Sequence, residues 1–242
     1  MLYLIPYSLF FFLASIIYIV LYGSKKREFQ LFGEKFHETP TAYIRLLKLI
    51  PSLIVVFFVS FTAPRYDAFY TLFIIAFVFI FLGDIAMIIK NLIGLAIYLI
   101  AQFLLATAYL TQIVQLNSKP IGSYTLLGIG IFLYLSLIFL MFFFLRKNLE
   151  GKYSKPTLVI LSVFLYLGAS FFHLTSSSIF ILYNYSSNNG LVIVSIGILL
   201  FLISDLMVFI RDAREKLVYS VLLIMSTYYI ALFFISLITQ FY

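Results

Sequence analysis

The sequence contains no cysteine and no tryptophan, and only two histidines and nine acidic residues among 242. Without cysteine there is no disulfide framework, no thiolate nucleophile and no cysteine metal site. Two histidines are too few for a histidine-rich zinc centre, so neither a metal nor any other cofactor is expected. Charge of either sign is scarce. Charged residues make up 10% of the chain, whereas a soluble domain carries about a quarter. That rules out a water-soluble globule. The 64% of hydrophobic residues rules out a disordered chain, because so much apolar surface cannot stay solvated. What the sequence does have is apolar length: 29 Phe, 19 Tyr and a mean hydropathy of +1.14. The solvent of such a chain is lipid.

A membrane-spanning helix needs about 20 mostly apolar residues. Eight are expected, at roughly 2–22, 44–63, 68–89, 92–113, 122–145, 156–181, 190–210 and 217–240. The uncharged run from Pro156 to Ser204 is too long for one span, and the polar string Tyr183 to Gly190 is where it must turn. Other breaks are marked by Gly23 with Lys25-Lys26-Arg27, by Pro64-Arg65, by Lys90-Asn91, by Lys119-Pro120 and by Arg146 to Lys155. The first segment lacks a basic leader and its apolar run is too long for a signal peptide, so it reads as a retained helix. Of the 16 basic residues, 14 fall in the connections after the first, third, fifth and seventh spans, leaving only Arg65 and Lys119 opposite. Those 14 are expected to face the cytoplasm, with both termini on the other side. The net charge of +7 is therefore a topology signal and a surface toward phospholipid, not a mark of nucleic-acid binding. The host membrane is expected to be a plasma (inner) membrane or the endoplasmic reticulum.

Two acidic residues interrupt the apolar spans, Asp84 and Asp205. Their surroundings match: Phe81-Leu82-Gly83-Asp84, with Lys90 six residues on, against Leu202-Ile203-Ser204-Asp205, with Arg211 six residues on. A small residue precedes each Asp. Four spans separate the copies, so the copies share an orientation. The expectation is a single all-α transmembrane domain over 1–242, built as two parallel four-helix halves, about 1–118 and 119–242. Six residues of helix put each carboxylate about 9 Å from the basic end of its span. If the halves pack about a two-fold axis, the carboxylates approach each other across one cavity.

A charge in the middle of a membrane costs roughly 2.5–3.5 kcal/mol on insertion scales and usually marks a function. The plainer alternative is that each Asp pairs with a nearby cation or caps a neighbouring helix. Two buried carboxyls in different surroundings can divide proton-donor and carboxylate roles, which suits general acid and base work on a lipid bond. The same pair suits proton binding and release in a transporter. Lys48, near the basic end of the second span with Pro51 one turn later, can snorkel to the surface, hold a phosphate, or hold Asp84. Gln102, Tyr228 and Tyr229 lie within spans and can bond a substrate or join helices. His173 and the serines and threonine around it, from Ser170 to Ser178, show no nucleophile–base spacing and read as packing or as an interfacial patch. No G-x-S-x-G turn or phosphate-cradling glycine pattern is present. The remaining Phe and Tyr read as lipid contacts and interface anchors.

The segment Phe81-Leu82-Gly83-Asp84, followed by Gly94-Leu95 and Ala101-Gln102, resembles the central signature of the YhhN-like lysoplasmalogenase family. Lys48-Leu49-Ile50-Pro51 resembles that family's K-x-x-P. Ser204-Asp205 and Thr227-Tyr228-Tyr229-Ile230-Ala231 resemble its C-terminal elements. The eight-span plan agrees over essentially the whole chain. The resemblance implies hydrolysis of the vinyl ether bond of a lysoplasmalogen-like lysolipid to a fatty aldehyde and a glycerophospho-base. Asp84 and Asp205 would be catalytic, and Lys48, Gln102, Tyr228 and Tyr229 would contact the substrate. Two positions depart from the family pattern: Gln102 stands where the family usually has His, and Leu232 follows Ala231 where Gln is common. A proton-coupled transporter and a non-catalytic member of the family are the competing expectations. The expected partners are a single-chain lipid substrate and membrane lipids.

Overall fold

A computed structural model describes residues 3–31, 42–64, 67–89, 91–115, 125, 128–136, 139, 156–184, 190–214 and 220–242. Helices account for nearly all of them: α1 Leu4–Leu31, α2 Ala42–Leu47, α3 Leu49–Thr62, α4 Ala68–Ile89, α5 Asn91–Gln115, α6 over 128–136, α7 Pro156–Asn184, α8 Leu191–Arg214, α9 Ser220–Ser236 and α10 Ile238–Phe241. Seven of the eight expected spans are helices long and apolar enough to cross a membrane. The other, 122–145, lies mostly outside the described residues, although its described part is helical.

Several ends fall where the sequence breaks. α7 stops at Asn184 and α8 starts at Leu191, on either side of the polar string. α4 and α5 are separated by Lys90 alone. One break is not a helix end. α1 runs through Gly23 and the Lys25-Lys26-Arg27 cluster to Leu31. Leaving the membrane removes no backbone hydrogen bond, and a lone glycine costs a helix only about 1 kcal/mol.

Six elements close into a ring. α3 packs on α4, α4 on α5, α5 on α7, α7 on α8, α8 on α9, and α9 back on α3, while α1 lies outside across α3 and α9. The closest neighbours are the hairpins α4–α5 and α8–α9, whose first helices carry Asp84 and Asp205. Lipid tails are as apolar as leucine, so close van der Waals approach must hold such helices together. Glycines supply it. A Cβ on Gly94 would run into the side chain and backbone of Met87, and one on Gly197 would sit 2.7 Å from Phe234 Cβ and 3.0 Å from the Ile235 nitrogen. Away from the basic end the core is aromatic: the rings of Tyr7 and Phe58 stack at 3.6 Å, and Phe69 packs on Phe73, Tyr109, Phe180 and Tyr242.

Candidate active site

Within the ring lies a half-open cavity of about 60 Å³ lined by five of its six elements and by the α2–α3 junction: Lys48 at that junction, Met87 on α4, Leu95 and Tyr98 on α5, Tyr166 on α7, Ser204, Asp205 and Val208 on α8, and Ile224, Met225 and Tyr228 on α9. Polar groups converge here and the rest of the wall is aliphatic or thioether.

Lys48 sits at the break between α2 and α3, one turn before Pro51. A proline three residues into α3 cannot donate to the carbonyl of Leu47, and its ring crowds that carbonyl. The helix is interrupted at Lys48, between α2 and α3. The Lys48 carbonyl accepts a hydrogen bond from the Tyr229 hydroxyl at 3.2 Å. The Lys48 side chain, 13% exposed, turns inward and places Nζ 2.9 Å from Asp84 Oδ1. Lys48 therefore holds Asp84 rather than snorkelling.

Asp84 is wholly buried and accepts bonds on both oxygens. Tyr98 donates to Oδ1 at 2.7 Å and Tyr228 to Oδ2 at 2.8 Å, and the two hydroxyl oxygens stand 3.2 Å apart. With one cation and two donors around it, Asp84 has the bonding of an anion. Each hydroxyl has only one proton. With both directed at Asp84, the tyrosine oxygens keep their lone pairs for other donors. Gly83 makes this possible: an added Cβ there would lie 3.2 Å from the Tyr98 ring, so only glycine leaves the ring undisturbed.

Asp205 is partly exposed and lines the cavity. Tyr166 donates to its Oδ2 at 2.7 Å, and no cation among the described residues pairs with it. Ser204, the small residue before it, donates to the Ile224 carbonyl at 3.1 Å and ties α8 to α9. The two carboxyls thus serve one cavity unequally. Asp205 is on the wall. Asp84 lies behind Lys48, Tyr98 and Tyr228, which are on it.

Of the other residues that the sequence singles out, Tyr228 lines the cavity, whereas Gln102 and Tyr229 do not. Tyr229 bonds the Lys48 carbonyl, and Gln102 Oε1 lies 2.6 Å from His173 Nδ1. Ser176, Ser177 and Ser178 bond back to carbonyls of their own helix. The sequence does not single out Tyr98 or Tyr166. Their signal is position, tyrosines well inside apolar spans rather than at the interfaces, but 19 Tyr in the chain bury it.

A family model described as the YhhN family matches residues 43–239. The matched stretch holds Lys48, Asp84, Tyr98, Tyr166, Asp205 and Tyr228. No curated protein and no solved structure matches the chain.

Proposed function

The chain belongs to the YhhN family, and on that footing we propose that it is an integral-membrane hydrolase cleaving the vinyl ether bond of lysoplasmalogen-like lysolipids. The products are a fatty aldehyde and a glycerophospho-base. The observation that carries this reading is the unequal surrounding of two carboxyls at one cavity: Asp84 is held by a cation and two hydroxyls, and Asp205 by a single hydroxyl on the wall.

A vinyl ether hydrolyses by protonation at carbon, so the reaction needs a positioned acid more than a nucleophile. Asp205 is that acid. It gives its proton to the alkenyl carbon remote from oxygen, whose π pair forms the new C–H bond. The charge left behind is an oxocarbenium ion spread over the ether oxygen and its carbon. Water adds to that carbon and returns a proton to Asp205. The resulting hemiacetal breaks its bond to the glycerol oxygen, which takes up the proton as the aldehyde leaves. Asp84 stays an anion and fixes Tyr98 and Tyr228 with their lone pairs toward the cavity, where they steer the water and oppose the cation. The cavity of about 60 Å³ has room for the reacting atoms and a water, which needs about 10–15 Å³ by such a measure. The head group and tail of the lysolipid lie beyond it, toward the basic end and the bilayer. That basic end faces the cytoplasm, and its cations suit a phosphate.

The test is purified protein in detergent given an alkenyl lysolipid and its saturated alkyl analogue. Aldehyde is expected from the first and not from the second, and Asp205→Asn is expected to abolish its release while the protein remains folded. Full turnover by Asp205→Asn refutes the assignment. Absence of aldehyde, together with uptake into liposomes driven by a pH gradient, moves the same carboxyls to a transporter.

A further inference from the structure

One line of buried polar side chains crosses from α5 to α7 behind the cavity wall and meets it at Tyr166. Gln102 is 2% exposed and His173 1%, and neither lies on the cavity wall. His173 Nδ1 is 2.6 Å from Gln102 Oε1. Gln102 and Ser170 both lie within hydrogen-bonding reach of the Tyr166 hydroxyl, which in turn donates to Asp205 Oδ2 at 2.7 Å.

The chemistry of each group fixes a direction. Gln102 turns Oε1 toward His173 Nδ1, so its amide nitrogen is the group left to donate to Tyr166, whose single proton then goes to Asp205 Oδ2. Gln102 Oε1 is left as the acceptor, so His173 must carry a proton on Nδ1. Nε2 of His173 is a buried atom with no partner among the described residues. An orphaned N–H is rarer in proteins than an orphaned acceptor, which again puts the proton on Nδ1. The ring of His173 lies nearly parallel to that of Tyr109, with centroids 5.7 Å apart, and this stacking holds the orientation.

We infer that Gln102 and His173 are positioning residues for Asp205: they point the Tyr166 proton at Oδ2, so that Oδ2 is always the acceptor and the transferable proton sits on Oδ1. The inference rests on the reading of Asp205 as the acid. A protonated carboxyl has one hydrogen to place. An array that occupies Oδ2 from behind leaves Oδ1–H as the only donor toward a substrate. Removing Gln102 or His173 lets the Tyr166 hydroxyl rotate and the carboxyl proton exchange between oxygens, with no group lost from the cavity.

The experiment has two parts. The chain contains two histidines, so ¹⁵N-histidine labelling of full-length His37→Gln protein leaves the His173 ring signal alone. The neutral tautomer with its proton on Nδ1 is expected near neutral pH, and a proton on Nε2, or on both nitrogens, overturns the array. The second part is turnover of the alkenyl lysolipid. His173→Phe and Gln102→Leu are expected to lower kcat roughly tenfold, the scale of losing one oriented hydrogen bond, with KM little changed. His173→Gln, which retains a donor toward Gln102, is expected to recover most of the loss. Folded His173→Phe and Gln102→Leu with wild-type kcat overturn the positioning role. A wild-type protein that releases no aldehyde overturns the hydrolase reading instead, and the tautomer then decides the array alone. It also decides if the variants do not fold.

Discussion

The Lys48–Asp84 pair shows how one residue's worth depends on its partner. Asp84 is fully buried, with Nζ of Lys48 at 2.9 Å. Removing one member of a buried pair leaves an uncompensated charge and costs about 3–5 kcal/mol, whereas removing both is often close to neutral. Asp84→Asn alone is therefore expected to lower the melting temperature in detergent, and adding Lys48→Met is expected to restore much of it. A double variant less stable than either single one contradicts the pairing. The two Asp were legible in the sequence, because an acid inside an apolar span is costly and usually marks a function. Lys48 was legible only as alternatives, since a lysine near a membrane surface has several places to go. Tyr98 and Tyr166 were not legible at all. A tyrosine costs little in a span, so its presence there carries no signal until a carboxylate is found beside it.

At the scale of elements, glycines set how closely α8 and α9 approach. A methyl group on Gly197 would meet atoms fixed to the α9 backbone, with the Ala231 carbonyl oxygen at 3.1 Å. One on Gly128 would meet nothing within 4 Å among the described residues. Gly197→Ala is expected to destabilise by about 1–3 kcal/mol, the usual cost of overpacking. Gly128→Ala is expected to be neutral or to stabilise by up to about 1 kcal/mol through helix propensity. Thermal melts of the two variants check the contrast, and equal shifts contradict the close crossing. The ends of α7 and α8 could be read from the polar string between them, and the division between α4 and α5 from Lys90-Asn91. The extension of α1 to Leu31 could not, because hydropathy records where lipid ends and not where the backbone stops being helical.

At the scale of the whole molecule, the ring order was hidden from the sequence. Membrane helices are apolar toward lipid and toward one another, so periodicity does not reveal which face is inward. The matching windows at Asp84 and Asp205 fall on α4 and α8, the first helices of two hairpins in the ring. Their environments are not equivalent, since among the described residues only Asp84 has a lysine. That asymmetry is what an acid and a fixed anion require. Orientation in the membrane has its own check. The chain has no cysteine, so Lys152→Cys and Ser187→Cys each carry a single thiol. By the distribution of basic residues, an impermeant thiol reagent is expected to reach Lys152→Cys only from the cytoplasmic side and Ser187→Cys only from the other. The reverse pattern contradicts the expected topology.

The proposed chemistry makes its most direct mark on the product. When the alkenyl lysolipid is turned over in heavy water and the aldehyde is trapped at once, proton transfer from Asp205 to carbon places deuterium on the carbon next to the carbonyl. One deuterium per aldehyde from the wild-type protein, with no aldehyde from Asp205→Asn, is the expected result. Aldehyde free of deuterium at that carbon, or labelled aldehyde formed as fast by Asp205→Asn as by the wild type, contradicts it.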